Sequence, residues 1–158
     1  MLLVMVGALL FGCTAVKLDH PPSIDEYAGK LKSGTATITG EAFATTRGGD
    51  VKYASGRVVH LDKVTSYSTE LLQKLRHHGT FSVEKEQDTV EIDPQMLSQR
   101  RNMLANSVGR FRFANLAAGE YYVSCYISWM VRDGSWSGGW AILKVKVQDG
   151  ETKNVILR

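Results

Sequence analysis

Histidine, carboxylate, cysteine and tryptophan side chains are the groups through which this chain of 158 residues could bind or react. His60, His77 and His78 lie in the body of the sequence. Adjacent His77 and His78 diverge on a helix and chelate poorly there. A metal-dependent hydrolase would have to combine His60 with one of them and an acid such as Glu84 or Asp88. No His-x-x-x-His or cysteine pair supports such a site. Acids are numerous, but no spacing singles out a general acid/base pair, and glycosidase carboxylates meet only in space. There is no Gly-x-Ser-x-Gly elbow. Gly138-Gly139 lacks the lysine and strand-to-helix context of a phosphate loop. The expectation is a protein with no catalytic residue, no metal and no cofactor.

The tryptophans carry a stronger signal. All three, Trp129, Trp136 and Trp140, fall within twelve positions. Trp136 lies among Ser and Gly in a connection read as running from Asp133 to Gly139. Tyr122 and Tyr126 share one face of the preceding strand, because side chains alternate along a strand. Trp136, Trp140, Tyr122 and Tyr126 are therefore the candidate binding residues. Such rings stack on sugars or anchor a protein partner. Trp129 shares the inward parity of Val123 and Ile127 and is assigned to the core.

Of the two cysteines, Cys125 shares that inward parity and reads as a small buried apolar side chain. Cys13 closes an almost wholly apolar run from Met1 to Phe11. The run is shorter than the roughly 20 residues that span a bilayer and has the length of a signal-peptide apolar region. No Lys or Arg precedes it, whereas a signal ordinarily begins with positive charge. Leu10-Phe11-Gly12-Cys13 resembles a bacterial lipobox. That resemblance implies cleavage between Gly12 and Cys13 and a covalent lipid on the Cys13 thiol, which would preclude a Cys13–Cys125 disulfide. Acyl chains contribute about 0.8 kcal/mol per buried methylene, and stable anchoring takes more than one chain. Ala15 in place of Asp implies the outer membrane by the usual sorting pattern. Residues 1–12 are then the signal peptide and 13–33 a lipidated tether.

Elements must position these residues. Gly34–Phe43 alternates and is rich in Thr, as a strand is. A second strand is best placed at Gly56–Leu61. Leu71, Leu72 and Leu75 recur at helical spacing within Ser66–His78, and Asp93-Pro94 is a helix start. Thr80–Gln87 reads as extended. Met96, Leu97, Met103 and Leu104 are expected to face inward in a helical excursion over about 65–107. Gly109-Arg-Phe-Arg-Phe113 is a strand with Phe111 and Phe113 on one face and Arg110 and Arg112 on the other. Leu116 plugs the connection, Gly119 serves the turn, and a further strand runs from Tyr121 to about Met130. Ala141, Leu143, Val145 and Val147 alternate with polar neighbours, Asp149-Gly150 is a hairpin turn, and Val155 and Leu157 point inward from the last strand. Short alternating strands with Gly turns argue for an all-β sandwich of about seven strands with a short helical insertion.

Gly109-Arg-Phe-Arg-Phe, Leu116, Gly119 and Tyr121-Tyr-Val123 together resemble the carboxypeptidase regulatory-like domain, a transthyretin-like sandwich. The resemblance covers roughly residues 34–158. It implies an accessory domain that spaces or binds and does no chemistry. Thr46–Lys52 and Leu61–Thr69 resemble small bacterial lipoproteins carrying such a domain. The net charge of +3, with Lys and Arg scattered, argues against nucleic acid. The function these readings imply is a non-catalytic envelope or surface lipoprotein with a protein partner. Alternatives are a carbohydrate- or peptidoglycan-binding module using the Trp136 loop, and a component of a secretion or conjugation apparatus.

Overall fold

The computed structural model describes residues 18–22, 33–78 and 92–158. Gly12 and Cys13, the rest of the leader, most of the tether, the Thr80–Gln87 stretch and the side chains of His77 and His78 lie outside the described residues.

Among the described residues, eight strands form two sheets. The first is built around β1 (Ser33–Thr45), which pairs antiparallel with β2 (Val51–Tyr53) and β5 (Arg110–Leu116) and in parallel with β8 (Thr152–Leu157). The second is antiparallel throughout, in the order β4 (Arg101–Leu104), β3 (Val58–Lys63), β6 (Gly119–Met130), β7 (Trp136–Val147). One apolar core draws on both sheets: Ile38 and Ala42, Val59 and Leu61, Phe111 and Phe113, Val123, Cys125 and Ile127, Val145 and Val147, and Leu157. The chain is therefore an all-β sandwich.

Side-chain alternation explains most of that core. In β5 Phe111 and Phe113 are buried and Arg110 and Arg112 exposed. Gly40 on β1 faces Phe111, and a Cβ there would meet the Phe111 ring at 2.6 Å and the Val155 carbonyl oxygen at 2.5 Å. The phenyl ring takes the space that any side chain at position 40 would need. Leu116 is buried, as its place in the connection implied. Gly119 takes a positive φ (157°), as expected, and Asn115 adopts the left-handed conformation (φ 57°).

Among the described residues, two helices lie outside the sandwich core. α1 (Ser66–His78) begins with a reciprocal cap: the Ser68 amide donates to Thr65 Oγ1, and the Thr65 amide to Ser68 Oγ, both at 2.9 Å. α2 (Pro94–Gln99) is capped by Asp93, whose carboxylate accepts from the Gln95 amide at 2.7 Å. Tyr67, Leu71 and Met96 form a second small core, with Leu18, Leu75 and Ile92 against it. Glu70 pins the segment before β1: it accepts from the amides of Asp19 (2.7 Å) and His20 (2.9 Å) and pairs with Lys74 (2.8 Å).

Three expectations change. The stretch 65–107 is not wholly helical, because Arg101–Leu104 is β4 at the edge of the second sheet. Of the four residues expected inward, only Met96 is buried; Leu97, Met103 and Leu104 are exposed. α2 spans six residues and has room for one inward side chain, and β4 has all four residues exposed. The turn after β7 is present, with the Glu151 amide donating to the Gln148 carbonyl. β8, however, does not return beside β7; it crosses to the other sheet and pairs in parallel with β1, Thr37 opposite Thr152 through Ala42 opposite Leu157.

Candidate functional site

β6 and β7 pair without a register shift over twelve residue pairs, from Gly119–Val147 to Met130–Trp136. Trp136 is thus the first residue of β7, and the connection is confined to Val131–Ser135. The Gly-rich segment was expected to be a loop because its glycines look like turn residues. Gly138 in fact serves close approach: a Cβ there would lie 2.1 Å from the Ile127 carbonyl oxygen. Glycine inside a strand commonly marks such an approach of another backbone.

An unbroken ladder fixes faces. Trp136, Gly138 and Trp140 project to the outer face of the second sheet, opposite Met130, Ser128 and Tyr126. Four residues of strand separate the two tryptophan Cα atoms by roughly 13 Å, at about 3.3 Å per residue. Trp140 is half-buried and held from two sides. Tyr126 meets it edge to face with ring centroids at 5.5 Å, and His60 of β3 lies 6.0 Å away. Trp136 is 39% exposed. Gly138, between the two tryptophans in the same row, contributes no side chain to this face.

The candidate residues divide. Tyr126, Trp140 and Trp136 share this strip. Tyr122 lies on the same face of β6 but is covered by α1, its hydroxyl 3.2 Å from Thr69 Oγ1. Trp129 is half-buried at the far end of the core face. Arg57 was not singled out from sequence, yet it belongs to the strip: its Nη2 donates to the Ser128 carbonyl oxygen at 3.2 Å and to Ser128 Oγ at 3.1 Å. Nothing local in the sequence links positions 57 and 128. Only the pairing of β3 with β6 brings them together.

His60 also sits in a row with Ser124 and Asn102, one residue from each of three neighbouring strands. Its Nδ1 is 2.7 Å from Asn102 Oδ1. This is not a nucleophile–base pair, because Ser124 is fully buried and its hydroxyl makes no hydrogen bond. Burial holds the His60 imidazole below its usual pKa, with the Asn102 hydrogen bond acting in the opposite direction. No group of three or more His, Cys, Asp or Glu side chains converges among the described residues. Cys125 is a buried free thiol, pushed by burial up to about 11.

A concavity of about 330 Å³ lies at the end of the sandwich near α2. Its wall includes Asp62 and Arg100, a buried two-pronged ion pair with Nε–Oδ1 at 2.8 Å and Nη2–Oδ2 at 2.9 Å. Each charge there is satisfied by the other, so the pair ties α2 to β3.

No protein-family model matches the chain, and no curated protein matches it. Among solved structures, the chain is similar to a candidate carbohydrate-binding protein from Pseudomonas aeruginosa. The likeness has a TM-score of 0.72 at 25% identity and covers 89% of this chain and 97% of that one.

Proposed function

We propose that this chain is a carbohydrate-binding β-sandwich that recognises glycan without cleaving it and is carried on the bacterial outer membrane by a lipid on Cys13. The observation that carries the binding part is the strip on the second sheet. Trp136 is open to solvent, Trp140 is braced by Tyr126 and His60, and Gly138 between them in the row bears no side chain. Ring faces stack on the C–H faces of sugars, and a braced ring loses little freedom on binding. The similarity to a candidate carbohydrate-binding protein supports the same reading. The anchoring part rests on Leu10-Phe11-Gly12-Cys13 after the apolar run. The resemblance to the carboxypeptidase regulatory-like domain agrees with an accessory, non-catalytic role.

The test is a glycan panel that includes peptidoglycan fragments, probed with the full chain in detergent and read by tryptophan fluorescence. Binding to at least one oligosaccharide, lost in Trp136→Ala, is the expected result. Silence across the panel would reject the reading.

A protein partner is the second reading. It is favoured by the apolar side chains around the strip: Met130 is 61% and Leu104 64% exposed. An interface core is built from such residues. A partner recovered from envelope extracts by the parent chain and lost in Leu104→Ser would favour it, and a secretion or conjugation component would be one such partner.

A further inference from the structure

The strip that carries Trp136 and Trp140 has a hydrogen-bonded cation on it. Gly138 stands between the two indoles and directly opposite Ser128 on β6. Ser128 holds Arg57 by two hydrogen bonds to one guanidinium nitrogen, Nη2. The other donors of that fork, on Nε and Nη1, have no acceptor among the described residues, and Arg57 is exposed. No acid stands in the paired rows Tyr126–Trp140, Ser128–Gly138 and Met130–Trp136. The carboxylate of Asp133, in the adjoining connection, is engaged by the Ser135 amide at 2.9 Å and hydroxyl at 2.7 Å.

A surface arginine ordinarily points into water and exchanges between rotamers. This one is held by Ser128, next to the row that carries Trp136 and Trp140, with part of its fork still free. A planar guanidinium pairs best with a planar carboxylate, through parallel N–H···O bonds. We infer that the sugar bound on this strip carries a carboxylate, as in a uronic or sialic-type residue, with Arg57 as its partner. The inference rests on the carbohydrate reading and names the ligand class for that same strip. Two indoles on one face, four residues apart along the strand, suit an extended chain in which a charged residue sits between two stacked ones. Neutral sugars would use the indoles alone.

The experiment compares a carboxylated oligosaccharide with its carboxyl-reduced counterpart of the same length, using the full chain in detergent and tryptophan fluorescence. The carboxylated ligand should bind about tenfold more tightly or better, the order of a hydrogen bond to a charged group. Added salt should narrow that gap. Arg57→Gln should abolish the preference for the carboxylated ligand over its reduced counterpart, and Arg57→Lys should restore only part of it. Equal affinity for the two ligands, or a preference that survives Arg57→Gln, overturns this inference and leaves the carbohydrate reading standing. Failure to bind either ligand, together with silence across the broader panel, overturns both.

Discussion

Trp140 of β7 stands directly across the ladder from Tyr126 of β6, and their rings meet edge to face at 5.5 Å. The pairing ties the candidate binding surface to the fold. Trp140 serves both the surface and the sheet, whereas Trp136 at the open end of the same row serves the surface alone.

The two tryptophans should therefore respond differently to truncation. Trp136→Ala should abolish sugar binding and shift stability by no more than about 0.5 kcal/mol, as surface changes usually do. Trp140→Ala should abolish binding and also cost about 1–3 kcal/mol, through lost ring packing with Tyr126 and His60. Urea denaturation alongside fluorescence titration separates the two outcomes. Equal destabilisation by both substitutions would contradict the bracing.

The Asp62–Arg100 pair predicts asymmetry of another kind. Asp62→Ala should cost about 3–5 kcal/mol, because it leaves a buried guanidinium without its counter-charge. Combining Asp62→Leu with Arg100→Met should recover much of that loss. Urea denaturation of the single and double variants measures it.

Two acid-side transitions should be separable. The pKa of His60 is lowered by burial, so the unfolded chain binds its proton first as pH falls. Its contribution is fully present above about 6.5, the unfolded value, and is lost as pH drops towards the folded value. His60→Gln should flatten the stability profile in that window. Glu70 is held well below the usual carboxylate range, first by Lys74 and then by the Asp19 amide. Its contribution is present above the ordinary carboxylate pKa and is lost as pH falls below it. Glu70→Gln should flatten only that lower window and free residues 18–22 from α1. Thermal melts across the pH series check both.

Cys13→Ser should move the protein from the membrane fraction to a soluble or unprocessed form. The parent chain should yield a mature N-terminus lacking Met1–Gly12, with added mass from lipid. An intact Met1 on a membrane-bound, unlipidated parent would rule out the anchor.

Several features were legible in the residues because they depend on neighbours in the chain. The alternation of Phe111 and Phe113 with Arg110 and Arg112 assigned the faces of β5. Asp93 before Pro94 marked the start of α2, and the leucine spacing located α1. Parity along β6 placed Cys125 inside and Tyr126 outside. All of these follow from side-chain period and capping, which act over a few residues. Partner choice does not. Asp149-Gly150 reads as a hairpin in any context, yet β8 is held by parallel pairing with β1, over one hundred residues upstream. The glycines around Trp136 looked like a loop because glycine frees the backbone; only the approach of β6, visible as the Ile127 carbonyl against Gly138, shows that they were needed for a strand. Arg57 had no distinguishing neighbour at all, and its place on the strip depends on Ser128, 71 residues away. The sequence determined which faces are apolar and where short elements begin. The tertiary structure decided which strands meet, because pairing energy comes from backbone groups that are alike at every residue and carry no local signature.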